Sequence, residues 1–515
     1  MERVLACVLV VALAGSASGD LSPPEKSYKI LMLLPVSSKS HNRVFQPLAE
    51  GLANRGHKVV MLTNIPVASK HPNISEVNHG LSYFEDAKRN MFEVRKNENF
   101  DGLKKTILSF AKNLYKVQAV MELYKRRKEF DLIVVNYKFN EMVYPFVHEV
   151  PFITIATPGI DPHQSAILGN ILSPSYVPEI MFVPRSFPMS AYDRFKSILW
   201  LLVSGFTWRH WDVVPLIQKE ISTQFPNLPP LLEIERNQSL TLMNTHFSIA
   251  TVVPLLPSQV QVGAMHCRHG KPLAQDLESW LAGAGTAGVI YFSLGSVTRG
   301  ESMPPNYRQT FLEAFRRLPQ RILWKYEGQL EGAPDNVKIS SWLPQQDILA
   351  HHNVKVFISH GGLLSLQESI FHATPLLVLP IFGDQPRNGK FVENSEIGHL
   401  LVWEELTADR IVAALTDIVC NPKFKENVNR VSASLRDQPT TPQEQAVYWT
   451  EYVIRHRGAL QLRSPATQLS WVEFLMLDIV CYLLLASLML ILVIHRMMWT
   501  GSSVLFGDRA KKKTD

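Results

Sequence analysis

Short unbroken apolar runs alternate with amphipathic stretches along most of this chain, and that rhythm limits what it can fold into. KILMLLPV, Lys29 to Val36, has the continuous hydrophobicity of a strand covered on both faces. After the loop SSKSHN, the stretch RVFQPLAEGLANRG puts Val44, Phe45, Leu48 and Leu52 on one helical face; Gly56 can close the helix, and HKVVML returns as a strand. This is one βαβ unit. FDLIVVN (Phe130 to Asn136), a helical stretch to His148 and PFITIAT form a second. From Gly288 the rhythm restarts with GVIYFSLGS, RILWKYE, VKISSWLP, VKVFISH and PLLVLPIF as strands, separated or followed by helical NYRQTFLEAFRRLP, QQDILAHHN, GGLLSLQESIFHAT and TADRIVAALTDIVCN. The pattern predicts an α/β chain with two doubly wound domains facing a cleft. With 515 residues, 46% of them hydrophobic, it can bury more than one core.

Both ends carry membrane signals. Residues 1–19 read as a secretory signal peptide: Arg3, an apolar stretch from Val4 to Ala14, then small residues before Asp20. Residues 475–494 are apolar apart from Asp478, and about 20 helical residues cross a bilayer. Arg496, Arg509, Lys511, Lys512 and Lys513 follow this span, which places the bulk of the chain on the opposite, lumenal side. Residues 20–250 are expected as the N-terminal domain, 251–270 as a linker, 271–460 as the C-terminal domain with a return helix, and 495–515 as a cytosolic tail. Between Pro158 and Pro188 the pattern dissolves into a proline-spaced loop. The segment from Phe195 to Trp211 is apolar and aromatic but too short to span; it lines a pocket, touches the membrane or is an ordinary buried helix.

Of four cysteines, Cys267 and Cys420 lie outside the signal peptide and the span; a disulfide is open to them, two buried thiols are expected, and no metal-binding spacing exists. The sequons at Asn73 and Asn237 agree with lumenal exposure. A formal charge of +6, with Lys and Arg spread along the chain, excludes a nucleic-acid footprint. An oxidoreductase with a dinucleotide is set aside because no G-x-G-x-x-G follows a strand.

The chemistry concentrates between Trp342 and Gln385. Gly361 and Gly362 follow a strand and open a helix, where backbone N–H groups and the helix dipole suit a diphosphate. Alone, the pair also reads as a tight turn. Its neighbours add to it: Trp342 offers a ring for a base, Gln345 an amide for the base edge, Glu368 a carboxylate for ribose hydroxyls, and His360 a donor to a phosphate oxygen. Asp384 and Gln385, after the next strand, could grip sugar hydroxyls.

These residues resemble the signature of the membrane-bound, detoxifying UDP-glycosyltransferases. Trp342, Gln345, SHGG at Ser359 to Gly362, Glu368, Pro375, Pro380 and Asp384-Gln385 carry the resemblance, with SYVP at Ser175, MNTHFSI at Met243 and SLGS ending at Ser296. It implies a GT-B fold whose N-terminal domain takes a lipophilic acceptor and whose C-terminal domain takes the UDP-sugar, with Ser296 among the donor-binding residues. It also implies inverting transfer with no metal and no cofactor beyond the UDP-sugar co-substrate. The ending Lys512-Lys513-Thr514-Asp515 resembles the family's dilysine retention signal, so the chain is expected as a single-pass type I protein of the endoplasmic reticulum membrane. The overall pattern is more similar to invertebrate members, which favour UDP-glucose, than to vertebrate ones, which favour UDP-glucuronate. A homo- or hetero-oligomer is left open.

His41 matches the family's catalytic base. The family usually orients this histidine with an aspartate at the end of the strand read as DLIVVN, where this chain has Asn136. Asparagine accepts a hydrogen bond but supplies no charge, so Glu141 is the alternative partner. A nucleotide-sugar or lipophile-binding relative with weakened catalysis is the rival reading. Leu364 is a second departure, standing where many relatives carry a polar residue.

Overall fold

A computed structural model describes residues 21–511, apart from 67–68, 82–89, 98–100, 138, 180 and 186. The signal peptide and the dilysine ending lie outside the described residues. The chain divides into two compact units, one up to Arg463 and one from Ser464.

The first unit holds two parallel sheets. One contains β1 (Lys29–Leu34), β2 (Lys58–Thr63), β3 (Ile74–Asn78), β4 (Leu132–Asn136), β5 (Phe152–Ala156), β6 (Thr241–Met243) and β7 (Gln259–Gln261), in the order β3-β2-β1-β4-β5-β6-β7. The other contains β8 (Val289–Ser293), β9 (Arg321–Lys325), β10 (Val337–Ser340), β11 (Val354–Ser359), β12 (Leu376–Val378) and β13 (Gly398–Leu400), in the order β10-β9-β8-β11-β12-β13. Each run is continuous in sequence because its residues feed alternate faces. Ile30, Met32 and Leu34 enter one cluster and Leu31 and Leu33 another, while Ile290 and Phe292 oppose Val289 and Tyr291 in the second sheet.

The strand order reverses between β1 and β4 in the first sheet and between β8 and β11 in the second. In open α/β sheets such reversals leave a crevice at the carboxyl ends of the strands.

Six helices position the site or flank it: α1 (Lys39–Asn54), α2 (Ala191–Phe206), α3 (Leu363–Phe371), α4 (Gln385–Asn394), α5 (Pro442–Arg455) and α6 (Leu477–Lys511). Helix α5 opens with a capping box between Thr441 and Glu444 and packs on the first sheet, where its Ala446, Val447, Val453 and Ile454 join the cluster lined by α1. Its buried Glu451 accepts from Arg55 Nε at 2.5 Å and lies 2.9 Å from His57 Nε2.

Three expectations need correction. Residues 251–270 are not simply a linker, since Gln259–Gln261 pairs in parallel with β6 and closes the first sheet. Such a short strand has no periodicity to announce it. Cys420 is an exposed free thiol rather than a buried one, and Cys267 is free and half-buried. The segment from Phe195 to Trp211 is not an ordinary buried helix. In α2 the buried residues are Asp193 and Ser197, while Phe195 is 62% and Leu202 62% exposed, with Trp211 just beyond at 76%. Polar contacts hold this inverted helix: Ser197 Oγ donates to the Pro174 carbonyl at 2.8 Å and Trp200 Nε1 to Glu179 at 3.0 Å.

In the second unit, α6 includes an apolar stretch from Leu477 to Thr500, long and apolar enough to cross a membrane, and so compatible with an anchor. It begins two residues after the expected start and runs past the expected end.

Candidate active site

His41 and Asn136 fall where strand order reverses in the first sheet, and Ser296 and His360 to Gly362 fall where it reverses in the second, while Trp342 and Gln345 follow β10 and Asp384 and Gln385 follow β12. His41 follows β1, and Asn136 is the last residue of β4, its neighbour in the sheet. Helix α1 begins where Ser38 Oγ accepts the His41 N–H at 3.4 Å. The turn before it is pinned from two sides, by Asn140 Oδ1 accepting from Val36 N at 3.0 Å and by buried Asn42, which donates to Thr63 Oγ1 at 3.1 Å and the Ile65 carbonyl at 2.7 Å.

Of the two candidate partners for His41, Asn136 makes the contact, its amide nitrogen lying 3.3 Å from His41 Nδ1. Thr157 Oγ1 lies 3.5 Å from Asn136 Oδ1 and donates to it. Glu141 instead accepts from Trp208 Nε1 at 2.8 Å, and burial raises its carboxyl above the usual range. Burial lowers His41 to about 4, so the imidazole is neutral at physiological pH and its ring retains one lone pair.

Which nitrogen holds that lone pair depends on the amide. An Asn136 N–H donating to Nδ1 leaves the proton on Nε2, whereas the amide turned end for end accepts from Nδ1–H and frees Nε2 as a base. A hydroxyl such as Thr157 accommodates both orientations.

On the second sheet, Ser296 is half-buried in the loop after β8, and His360, Gly361 and Gly362 follow the adjacent β11. Gly361 has φ +81°, and a Cβ there would lie 2.6 Å from Val378 Cγ1. A Cβ on Gly362 would lie 2.6 Å from His360 Nε2, so the ring and the helix start need bare backbone. The Gly361 N–H is spent on Ser359 Oγ at 3.1 Å and the Leu363 backbone is engaged by the Asp384 carboxylate, so an anion at this helix start would fall to the other N–H groups of the first turn of α3. Burial, with Lys325 next, lowers His360 to about 4, and among the described residues its buried Nδ1 has no hydrogen-bond partner. A neutral imidazole still offers one N–H to an anion.

Trp342 is 53% exposed, as a stacking platform must be. Gln345, expected to offer its amide to a base edge, is engaged within the protein. Its oxygen accepts from Tyr291 Oη at 3.2 Å, and its nitrogen donates to Ser365 Oγ at 3.1 Å and Glu368 Oε2 at 2.5 Å. The buried Glu368 also accepts from Gln346 Nε2 at 3.2 Å and has His266 Nε2 at 3.6 Å from Oε1. Burial raises its carboxyl and the glutamines oppose that rise. Gln345 therefore supports Glu368.

Asp384 accepts from Asn388 at 2.7 Å, while Gln385 spends its oxygen on the Ile381 and Phe382 N–H groups at 2.7 and 3.0 Å. Only the amide nitrogen of Gln385 remains for a ligand.

Sequence reasoning missed Asn42, Gln346, His266 and Arg43. For Asn42 the signal was a polar residue amid the apolar face of α1. The others gave none, because they act through contacts distant in sequence. Helix α3 joins the two sheets, with Leu364 packed against the cluster of the first and Gln367 donating to the Asn244 carbonyl at 3.2 Å.

Two doubly wound sheets of this order have the architecture of the GT-B fold. A crystallised GT-B relative, LpCGTa in complex with UDP, shares the fold at a TM-score of 0.53 and 17% identity, covering 84% of this chain and all (100%) of that one. The family model for UDP-glucoronosyl and UDP-glucosyl transferase matches residues 29–512, and the chain belongs to that family. UDP-glucosyltransferase 2 of Dactylopius coccus is 33% identical, covering 88% of this chain and 90% of its own length. UDP-glucuronosyltransferase 1A8 of Rattus norvegicus is 28% identical, covering 94% and 93%.

Proposed function

We propose that this enzyme moves glucose from UDP-glucose to a hydroxyl of a small lipophilic acceptor, with inversion and without a metal. His41 Nε2 takes the acceptor proton, the acceptor oxygen forms a bond to the anomeric carbon, and the bond from that carbon to the diphosphate oxygen breaks on the opposite face. UDP departs onto the start of α3 and His360, while Trp342 carries the base and Glu368 the ribose. Asn136 orients the base, and Glu141 supports the fold around Trp208. The bulk of the chain is read as lumenal in the endoplasmic reticulum, anchored by α6.

The observation that carries this reading is the meeting of the two motif clusters: the guanidinium of Arg43, two residues beyond His41, lies 5.4 Å from the Trp342 ring centroid. A base and a nucleotide shelf that close are arranged for transfer. Glucose is supported by identity among relatives matched over about nine tenths of the chain, where the glucosyltransferase is closer than the glucuronosyltransferase.

A donor-by-acceptor screen on membranes bearing the full chain tests it. Expected are UDP release and product with UDP-glucose, an unchanged rate with EDTA, and loss of transfer to alcohols in His41→Ala with a smaller loss for acidic phenols. Product with UDP-glucuronate alone would reassign the donor, and full alcohol turnover in His41→Ala would remove His41 as the base.

A further inference from the structure

Resting on the donor shelf of the proposed function, we propose that Arg43 is the second wall of the nucleobase site, so that the uracil lies between the Trp342 indole and the Arg43 guanidinium. The nucleotide held by the second sheet is then gripped by the helix that carries His41. Three observations support this.

The guanidinium sits over the ring at 5.4 Å although both side chains are exposed. Among the described residues no carboxylate lies within ion-pair distance of Arg43, so the ring, not an acid, is its partner. Its charge reaches into the shelf, where it opposes the rise that burial causes in the Glu368 carboxyl and adds to burial in disfavouring protonated His266.

Distance decides between displacement and insertion. Two stacked layers, each at van der Waals spacing, need about 7 Å between indole and guanidinium. The observed 5.4 Å is short of that by roughly 1.6 Å, and an exposed arginine side chain can withdraw that far by rotamer change. Guanidinium planes stack on bases as aromatic rings do. The base therefore replaces a cation–π contact with two stacking contacts, and its arrival fixes the first turn of α1. Sheet one, which contributes no motif residue to the shelf, thereby senses the donor.

The test measures binding of uridine and of UDP to the full-length protein in detergent, for the native chain, Arg43→Ala, Arg43→Lys, Arg43→Tyr and Trp342→Ala. Arg43→Ala is expected to weaken both ligands by a similar factor, about five- to tenfold, the scale of one lost stacking contact. Arg43→Lys, which keeps the charge and loses the plane, should lose most of that factor, whereas Arg43→Tyr, which keeps a plane and loses the charge, should retain uridine binding.

Weakened UDP with unchanged uridine in Arg43→Ala would make Arg43 a phosphate contact and overturn the proposal. Tighter uridine binding in Arg43→Ala would make Arg43 a competitor for the platform and overturn it equally. So would unchanged binding of both ligands alongside a weakened Trp342→Ala. If Trp342→Ala leaves uridine binding untouched, the platform itself is misplaced and the donor-shelf reading fails.

Discussion

At the residue scale, one amide distinguishes this site from that of a catalytic dyad with an acid. A carboxylate beside His41 Nδ1 would enforce the Nδ1–H tautomer and stabilise imidazolium; the Asn136 amide at 3.3 Å permits either tautomer and adds no charge. With His41 lowered to about 4, kcat/KM should stay level from pH 7 down to about pH 5 and fall only as the imidazole protonates. Asn136→Asp introduces a charge that favours imidazolium, so the acid limb should move up toward neutrality. The same change should raise the ratio of alcohol to phenol turnover, by well under the ~10⁴ that Asp→Asn costs a serine-protease triad. Paired pH profiles of the two proteins check both expectations, and an unmoved limb would place Asn136 outside the proton path. On the donor side, Glu368→Ala removes the buried carboxylate proposed to hold the ribose and is expected to cost about 1.5–3 kcal/mol, or at least tenfold in UDP affinity by titration. Unchanged affinity would show that Glu368 serves only the network with Gln345 and Gln346.

At the element scale, α5 ties the end of the first unit back onto the first sheet. Glu451, 2% exposed, answers three cationic or protonatable partners, His57, Arg55 and Arg455, and the first two hold its carboxyl below the usual range against the rise that burial causes. Glu451→Ala leaves Arg55 with backbone carbonyls of Leu21 and Ser22 and leaves His57 without its acid. Breaking a buried pair in this way costs about 3 kcal/mol or more. The unfolding midpoint should fall clearly, while UDP affinity of the protein still folded stays within twofold, roughly 0.4 kcal/mol. A midpoint within error of native would mean that α5 is held by its apolar contacts alone.

At the scale of the whole molecule, the division at Arg463 separates both sheets from the apolar helix. A chain ending at Arg463 is expected to keep UDP binding and to be extracted from membranes by alkaline carbonate, whereas the full chain resists extraction. Retention of the shortened chain would identify the exposed apolar face of α2, including Phe195, Leu199 and Leu202, as a second membrane contact.

The sequence by itself determined the class of fold, because a parallel strand buried on both faces must be apolar throughout and an amphipathic helix must show its stripe, as in KILMLLPV and the α1 segment. It also marked a candidate site, since a glycine pair opening a helix after a strand is a local signal. It did not reveal β3, nor β6, β7 and β13 at three residues each, which are too short to show a period. Nor could it choose which of Asn136 and Glu141 touches His41, or set Gln345 against Glu368 and Arg43 over Trp342. Those outcomes depend on which loops the two reversals of strand order bring together. A contact across sheets is fixed by packing at distances that no local pattern encodes, and only the tertiary structure decided it.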